Sequence, residues 1–281
     1  MRVVITGAGG QVGQEVAAAF GPRWDVVAQD HSRLDVSDRD AVLQLVAGTS
    51  PDVIVHTAAW TAVDACEEDP DRAYLVNALG TRHVAEAARW CGAHLCYLST
   101  DYVFDGASGR PYTEWDDPHP LSVYGRSKLG GEHACPPEAT IVRTSWVCGR
   151  HGSNMARTVL RLAREPGPLR FVDDQHGSPT MAADLAGVVM RLAVERRPGL
   201  FHVTNQGQTT WYGFARAVLG AAGLDPGRVE PIATVSLQPP RPAPRPPFSV
   251  LDNAALRLSG LPLLPAWEES LEVLVKELVA V

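Results

Sequence analysis

Residues 2–20, RVVITGAGGQVGQEVAAAF, decide the fold. A short apolar run enters a glycine turn, and a helical pattern begins near Gln11. Gly7, Gly10 and Gly13 stand three apart. In a strand–turn–helix setting this spacing lets Gly7 make a tight turn, lets backbone at Gly10 approach a pyrophosphate, and lets the helix lie close to the strand at Gly13. The first helical residues, Gln11 and Val12, then offer free N–H groups and the positive end of the helix dipole to phosphates. A glycine triplet alone is often only a turn. Here a second strand, WDVVAQD, ends in Asp30, twenty residues after Gly10, where a carboxylate can accept hydrogen bonds from the adenosine ribose.

Outward from this segment, strand and helix alternate. Strands read at 2–6, 25–30, 52–57, 94–99 and 139–144, with helices near 11–20, 38–47, 71–91 and 122–134. That order predicts βαβ units and a Rossmann-type, doubly wound parallel sheet covered on both faces. Ligands of such sheets sit beyond the carboxyl ends of the strands, where Gly7, Asp30, Ala58, Ala59 and Thr100 fall. Asp30 favours NADH, because a carboxylate repels a 2′-phosphate, but Arg33 could answer that charge and leaves NADPH open. Asp35 and Val36 are placed to flank the adenine; Ser37 or Asp38 would equally cap the next helix, and the two readings are compatible.

Tyr124 and Lys128, in SVYGRSKLGGE, share a helix face because a four-residue step returns nearly to the same side. Ser99-Thr100 closes a strand about two dozen residues upstream. An unperturbed phenol has a pKa of about 10, and a nearby ammonium is expected to pull Tyr124 toward the working range. Thr100 adds a hydroxyl that can hold a carbonyl in line with the phenol. The alternative is an ordinary surface pair.

The chain has 281 residues, 45% hydrophobic and 20% charged, which suits a soluble globular protein with a large core. A net charge of -7 gives no reason to expect nucleic acid or an anionic membrane. No apolar run approaches the roughly twenty residues of a membrane span, and the first residues read as a strand rather than a signal peptide. A cytoplasmic location is expected. Cys66, Cys91, Cys96, Cys135 and Cys148 have no C-x-x-C pair or zinc-spaced histidine, so they read as reduced, mostly buried thiols, and no catalytic metal is expected. His56, in DVIVHTAA, reads as a strand residue satisfied in the core.

After Arg143 the elements shorten. A helix and strand near 181–204 are placed to rejoin the main sheet, and a last helix near 266–279 shows a packing face of Trp267, Leu271, Leu274 and Leu278. The division expected is a dinucleotide-binding domain of 1–150 plus about 181–205, and a substrate domain of about 151–180 and 206–281. QPPRPAPRPP at 238–247 reads either as a polyproline recognition motif or as a rigid loop ordered against this chain, with Arg245 suited to a bidentate phosphate contact.

These segments together resemble the extended short-chain dehydrogenase/reductase family and, within it, the dTDP-4-dehydrorhamnose reductases, over nearly the whole chain. TGAGGQVG is similar to the family's cofactor loop, STDYVFDG at 99–106 to its active-site strand end, VYGRSKLGGE to its catalytic helix, and RTSWV at 143–147 to the strand leading into the sugar site. WTAVD at 60–64, DDQHGSPT at 173–180 and RPPFSVLD at 245–252 lie where the subgroup carries similar segments. The resemblance implies NADPH- or NADH-dependent reduction at C4 of a dTDP-linked 4-keto-6-deoxy sugar. Tyr124 would protonate the forming alkoxide, Lys128 would hold the nicotinamide ribose, and Thr100 would bind the keto oxygen. Ser99 joins the cofactor contacts.

By the same resemblance Thr61, Val63, Asp101, Tyr102 and Trp146 would surround the sugar, with a core aromatic as the alternative for Trp146. Asn154, Gln175, Ser178 and Arg245 would reach the nucleotide and diphosphate. Two departures, Cys148 where an aromatic is common and Pro239-Pro240 where a tyrosine is common, are expected to bear on substrate identity. Alternatives are a dihydrostreptose-synthase-type reductase of secondary metabolism and a non-catalytic NADP-binding regulatory subunit; the intact Thr100, Tyr124 and Lys128 set speaks against the latter. Dehydratases of the group place Asp-Glu after the threonine, where this chain has Asp101-Tyr102. Monomer and homodimer both remain open, with magnesium at a dimer interface as a possible partner of Glu15, read as an exposed helix residue.

Overall fold

In the computed structural model, which describes residues 1–280, the opening segment forms β1 (Arg2–Thr6) and the helix Gln11–Phe20. β2 (Asp25–Gln29), β3 (Val53–His56), β4 (His94–Thr100) and β5 (Thr140–Thr144) follow, separated by the helices Arg39–Thr49, Gly80–Cys91 and Val123–Ala134. A sixth strand, β6 (Gly199–His202), is reached through the helix Ala182–Val194. All pair in parallel, in the order β6-β5-β4-β3-β1-β2. Parallel neighbours need a crossover between them, which is what each helix supplies. The order reverses between β1 and β3, and that reversal opens a crevice at the strand ends.

Side-chain alternation sorts the strand residues between two cores. Val3, Ile5, Val53, Val55, Cys96, Leu98 and Phe201 face the helices 11–20 and 182–194, meeting Val16, Phe20, Leu185, Val189 and Leu192. Val4, Ile54 and Leu95 face the other way, onto Val42, Val46, Val84 and Ala88. A fully buried residue of this kind contributes roughly 1.5–3 kcal/mol, so both faces hold the sheet. That explains why the strands read as continuous apolar runs rather than as alternating ones. His56 is buried as expected, bonded to Thr6 Oγ1 (2.6 Å) and Thr81 Oγ1 (3.1 Å), and burial pushes it down to about 3.

The helix expected over 71–91 is interrupted. It runs as Pro70–Tyr74, a π-helical turn Leu75–Leu79, and Gly80–Cys91. Inside the wide turn, Asn77 Oδ1 accepts from Trp60 N (2.8 Å), and its Nδ2 donates to Trp60 O (3.1 Å) and Ser127 Oγ (3.0 Å). One buried amide thus ties the loop after β3 to the helix Val123–Ala134. A short helix, Val63–Glu68, which periodicity did not reveal, leaves that loop.

The remaining residues build a third core. Phe171, Phe214, Val218, Trp267, Leu271, Leu274 and Val275 pack there, with the last helix at Trp267–Val279 and Leu278 partly buried. Leu169–Val172 pairs in parallel with Val229–Ile232. The proline-rich stretch is ordered against this chain, because Asp64 accepts from Arg241 Nη1 (3.3 Å), Ala243 N (3.2 Å) and both terminal nitrogens of Arg245 (2.8 Å each). Cys66, Cys96 and Cys148 are buried and Cys91 and Cys135 partly so, all as free thiols. Among the described residues no helix is long and apolar enough to cross a membrane.

Candidate active site

Two cavities meet at the sheet's reversal. One, of about 800 Å³, is lined by Gly7, Gly10, Asp30, Asp35, Val36, Ala58 and Ala59 among others. The second, of about 500 Å³, is lined by Gln11, Val12, Gly13, Thr61, Val63, Ser99, Thr100, Asp101, Tyr102, Tyr124, Lys128 and Trp146 among others. Gly10, Thr57 and Ala59 line both, so the two form one trough from the end of β2 to the end of β5.

Local chemistry shapes the first cavity for a dinucleotide. Gly7 has φ +71°, and a Cβ there would stand 2.5 Å from Ala58 N. At Gly13 a Cβ would run into the Gly7 carbonyl, so no side chain fits between turn and helix. No side chain caps the helix at Gly10, which leaves its first N–H groups to a phosphate. Asp30 Oδ1 accepts from Ser32 Oγ (2.6 Å), Ser32 N (2.9 Å) and Arg33 N (3.2 Å). The Ser32 hydroxyl foremost, and then the two amides, hold this carboxyl below its ordinary range, and Oδ2 is left for a ribose hydroxyl. Arg33 is exposed and outside the lining. Asp35 gathers Ser37 N and Oγ (2.9 and 2.7 Å), while Asp38 caps the next helix through Ala41 N (3.0 Å).

Tyr124, Thr100 and Lys128 converge on the second cavity, and all are buried. The Thr100 hydroxyl donates to Asp101 Oδ1 (3.1 Å) and accepts from Tyr102 N (3.2 Å). Lys128 Nζ donates to Leu98 O (2.6 Å) and lies 4.2 Å from the centre of the Tyr97 ring. The expected lowering of Tyr124 by Lys128 does not occur. Burial raises the phenol well above its ordinary value, Asp101 and Tyr102 raise it further, and only the neighbouring Thr100 hydroxyl works the other way. Lys128 spends its charge on a carbonyl and a ring face, and burial brings it down to about 7.

Asp101 is 2% exposed, and Ser249 Oγ donates to its Oδ2 (2.5 Å). Ser249 carries no sequence signal of its own, yet it links the substrate-side chain to the end of β4. Burial is the main reason that Asp101 is pushed up to about 6 from 3.8. A carboxyl raised on folding stabilises most below its unfolded pKa and loses that contribution as pH rises through the folded one. In Asp101→Asn nothing titrates, so its melting temperature is expected to gain on the parent's between pH 4 and pH 7. Paired thermal melts across that range check this; a constant or shrinking difference would contradict it.

Thr61, Val63, Asp101, Tyr102 and Trp146, the residues expected around a sugar, all line the second cavity. Trp146 lines the cavity and stacks on Trp211, with ring centres 3.5 Å apart and planes within 5°. Trp146 has φ +46°, an uncommon backbone state for a bulky residue. Its ring lies against Gly177, where any Cβ would strike the indole. Trp211, from the start of the helix Trp211–Ala221, was not legible as a site residue.

Four expected nucleotide contacts lie outside both linings and have internal partners. Asn154 caps the helix Met155–Leu162 and donates to Gln11 Oε1 and Gly149 O (2.7 Å each). Gln175 donates to Thr234 Oγ1 (2.9 Å), and Ser178 is fully buried with its carbonyl accepting from Ser145 Oγ (2.5 Å). Arg245 makes the bidentate contact its fork suits, but with Asp64. The two departures also shift in meaning. Cys148 belongs to the third core, and Pro239 and Pro240 sit outside the trough. Glu15 is 5% exposed rather than exposed, and Arg150 engages both its oxygens (2.8 and 3.0 Å). Among the described residues no group of three or more His, Cys, Asp or Glu is arranged to hold a metal ion.

The profile of the family described as RmlD substrate binding domain matches residues 1–280. Over 280 residues the chain is 42% identical to a dTDP-4-dehydrorhamnose reductase of Streptomyces griseus, covering 96% of this chain and 91% of that protein. A probable dTDP-4,6-dihydroxy-2-methyloxan-3-one 4-ketoreductase of Streptomyces antibioticus is 40% identical over 288 residues, covering 100% of this chain and 96% of that one. The crystal structure of dTDP-4-dehydrorhamnose reductase from Bacillus anthracis in complex with NADP is similar with a TM-score of 0.94 and 38% identity, covering 98% of this chain and 99% of that one.

Proposed function

The chain belongs to the RmlD substrate binding domain family, and from that premise we propose that it is an NAD(P)H-dependent oxidoreductase that reduces dTDP-4-dehydro-L-rhamnose to dTDP-L-rhamnose. One observation carries the reading: Thr100, Tyr124 and Lys128 line a cavity that runs into the glycine-walled one at Gly10, Thr57 and Ala59. A carbonyl in the first can therefore reach a dinucleotide in the second.

When bound, the nicotinamide supplies the hydride that becomes the C4 hydrogen. The C=O electron pair moves onto the keto oxygen, which takes the phenolic proton of Tyr124, so ketone, hydride and proton sum to a secondary alcohol. A phenol raised by burial is fully protonated at neutral pH. An alkoxide is a stronger base than any phenolate, so the transfer runs downhill even from a weakly acidic tyrosine. Thr100 positions the keto oxygen, Lys128 holds the nicotinamide ribose, and Asp30 takes the adenosine ribose. Thr61, Val63, Asp101, Tyr102 and Trp146 surround the sugar, with Trp211 behind Trp146. Asn154, Gln175, Ser178 and Arg245 are left out because their polar groups serve the scaffold. Residues 1–150 and about 181–205 form the dinucleotide-binding unit and most of the sugar wall, and the substrate unit of about 151–180 and 206 onward closes that wall through Gly152, Ser153 and Trp211.

The Streptomyces antibioticus relative favours a second reading, a reductase of another nucleotide-linked 4-keto-6-deoxy sugar. Oxidation of NADPH and NADH is to be followed with a panel of dTDP-4-keto-6-deoxy sugars, with product configuration read by NMR. Turnover of dTDP-4-dehydro-L-rhamnose to the L-rhamno product is expected. Turnover of a different sugar alone would transfer the conclusion to the second reading, and no turnover with any would sink both.

A further inference from the structure

Glu132 lies one helical turn beyond Lys128 on the helix Val123–Ala134. Its carboxylate accepts from Arg143 Nε (2.9 Å), Arg143 Nη2 (2.6 Å) and Ser99 Oγ (2.5 Å). Both charged side chains are nearly inaccessible, at 6% and 4% exposure. A buried ion pair is weak evidence for stability, since apolar residues of similar volume often serve as well. Something other than packing is the better reason for this one.

Lys128 shows what that reason is. Its own contacts, the Leu98 carbonyl and the Tyr97 ring, are neutral. The titratable groups around it are Tyr124 and Glu132 on its own helix, Cys135 just past it, Tyr97 on β4 and His56 on β3, with Asp101 lining the same cavity from the turn after β4. Burial keeps His56 down near 3 and Cys135 up near 12, and raises both tyrosines, so all four are neutral at pH 7. Asp101 does not figure among the groups that shift Lys128, whereas Glu132 is foremost among those that favour its charged form.

We propose that Glu132, fixed by Arg143 and Ser99, keeps Lys128 cationic and is thereby a positioning residue of the site, acting through Lys128 without touching substrate or cofactor. Its catalytic consequence rests on the reductase reading; its test does not. Lys128 and Lys276 are the only lysines in the sequence, and the Lys276 side chain is 72% exposed. The full chain carrying ¹³C-lysine therefore gives two side-chain signals of opposite burial.

In an NMR pH titration, the Lys128 midpoint is expected to fall by about one pH unit or more in E132Q, since one unit corresponds to a single modest charge interaction. Lys276 stays in place and E132D recovers most of the shift. E132Q strands Arg143, so E132Q/R143M, which removes both charges, is the variant that keeps the test open if the single one fails to fold. It too should lower the midpoint. A Lys128 midpoint unmoved in the variant that folds overturns the proposal, because a merely structural Glu132 would cost stability and leave the titration alone. In steady-state assays the alkaline limb of kcat/KM should move to lower pH with the midpoint. If the parent reduces none of the sugars, the reductase reading fails while the titration still decides the role of Glu132.

Discussion

Tyr124→Phe is expected to lose about a hundred- to ten-thousand-fold in turnover while still binding the reduced cofactor, which is the usual worth of a positioned general acid. The change removes one oxygen and little else. The ring packs with Cys66, Ala73 and Val123 and edge-on against Tyr102, with centres 5.6 Å apart, and phenylalanine keeps those contacts. Burial already disfavours any charge on this group, so losing the hydroxyl costs little stability. The glycine turn and Asp30, which carry the adenosine side, lie in the adjoining cavity. Residual turnover reflects aligned hydride transfer, which survives the loss of the acid. Single-turnover reduction at saturating cofactor, with binding followed by cofactor fluorescence, measures both halves. Turnover within about ten-fold of the parent would remove Tyr124 from its role.

The order of strands and helices was legible because it is written locally, in apolar runs and in glycines that a tight turn demands. The broken helix over 70–91 was not, because its cause is tertiary. Asn77 turns inward to satisfy both the amide and the carbonyl of Trp60, and nothing in the spacing of residues 71–91 announces that partner. The same holds for Glu15, whose burial depends on Arg150, 135 residues away in the chain.

Most residues singled out next to a strand end or a helix start, among them Gly7, Asp30, Thr100, Tyr124 and Lys128, line the trough, while Arg33 does not. Asn154, Gln175, Ser178 and Arg245, assigned from the resemblance, lie outside both linings. Arg245 has the fork for a phosphate, but a carboxylate offers the same geometry, and Asp64 is nearer. Trp211 and Ser249 reach the cavity wall and Asp101 only through the fold. Glu132 had a signal, its four-residue step from Lys128, yet that spacing is as common on solvated helices as at sites. The direction of the Tyr124 shift was misread because the sequence shows a neighbouring cation but neither the depth of burial nor the carbonyl that engages Lys128.

Gly125→Ala, which touches no reacting group, is expected to lower turnover about a hundred-fold. An added Cβ would collide with the Tyr102 carbonyl and meet Pro120 Cβ at 3.0 Å. The first obstacle is backbone and cannot swing aside, so the helix and the turn Asp101–Val103 must separate. Tyr124 rides on one, and Asp101, with Thr100 capping it from the end of β4, on the other. Relief of the clash therefore widens the gap between phenol and hydroxyl, and about 1 Å of misplacement costs on the order of a hundred-fold. Helix propensity acts in the opposite sense, but Gly125 lies in the first turn of its helix, so alanine gains there at most the about 1 kcal/mol of a helix interior. Overpacking of about 1–3 kcal/mol outweighs it, and the melting temperature should fall. Gly48→Ala is the matched control, because a Cβ there meets nothing within 4 Å; it should hold or raise stability and keep parental turnover. Parental turnover in Gly125→Ala would show that the approach of helix to turn does not set the geometry of the site.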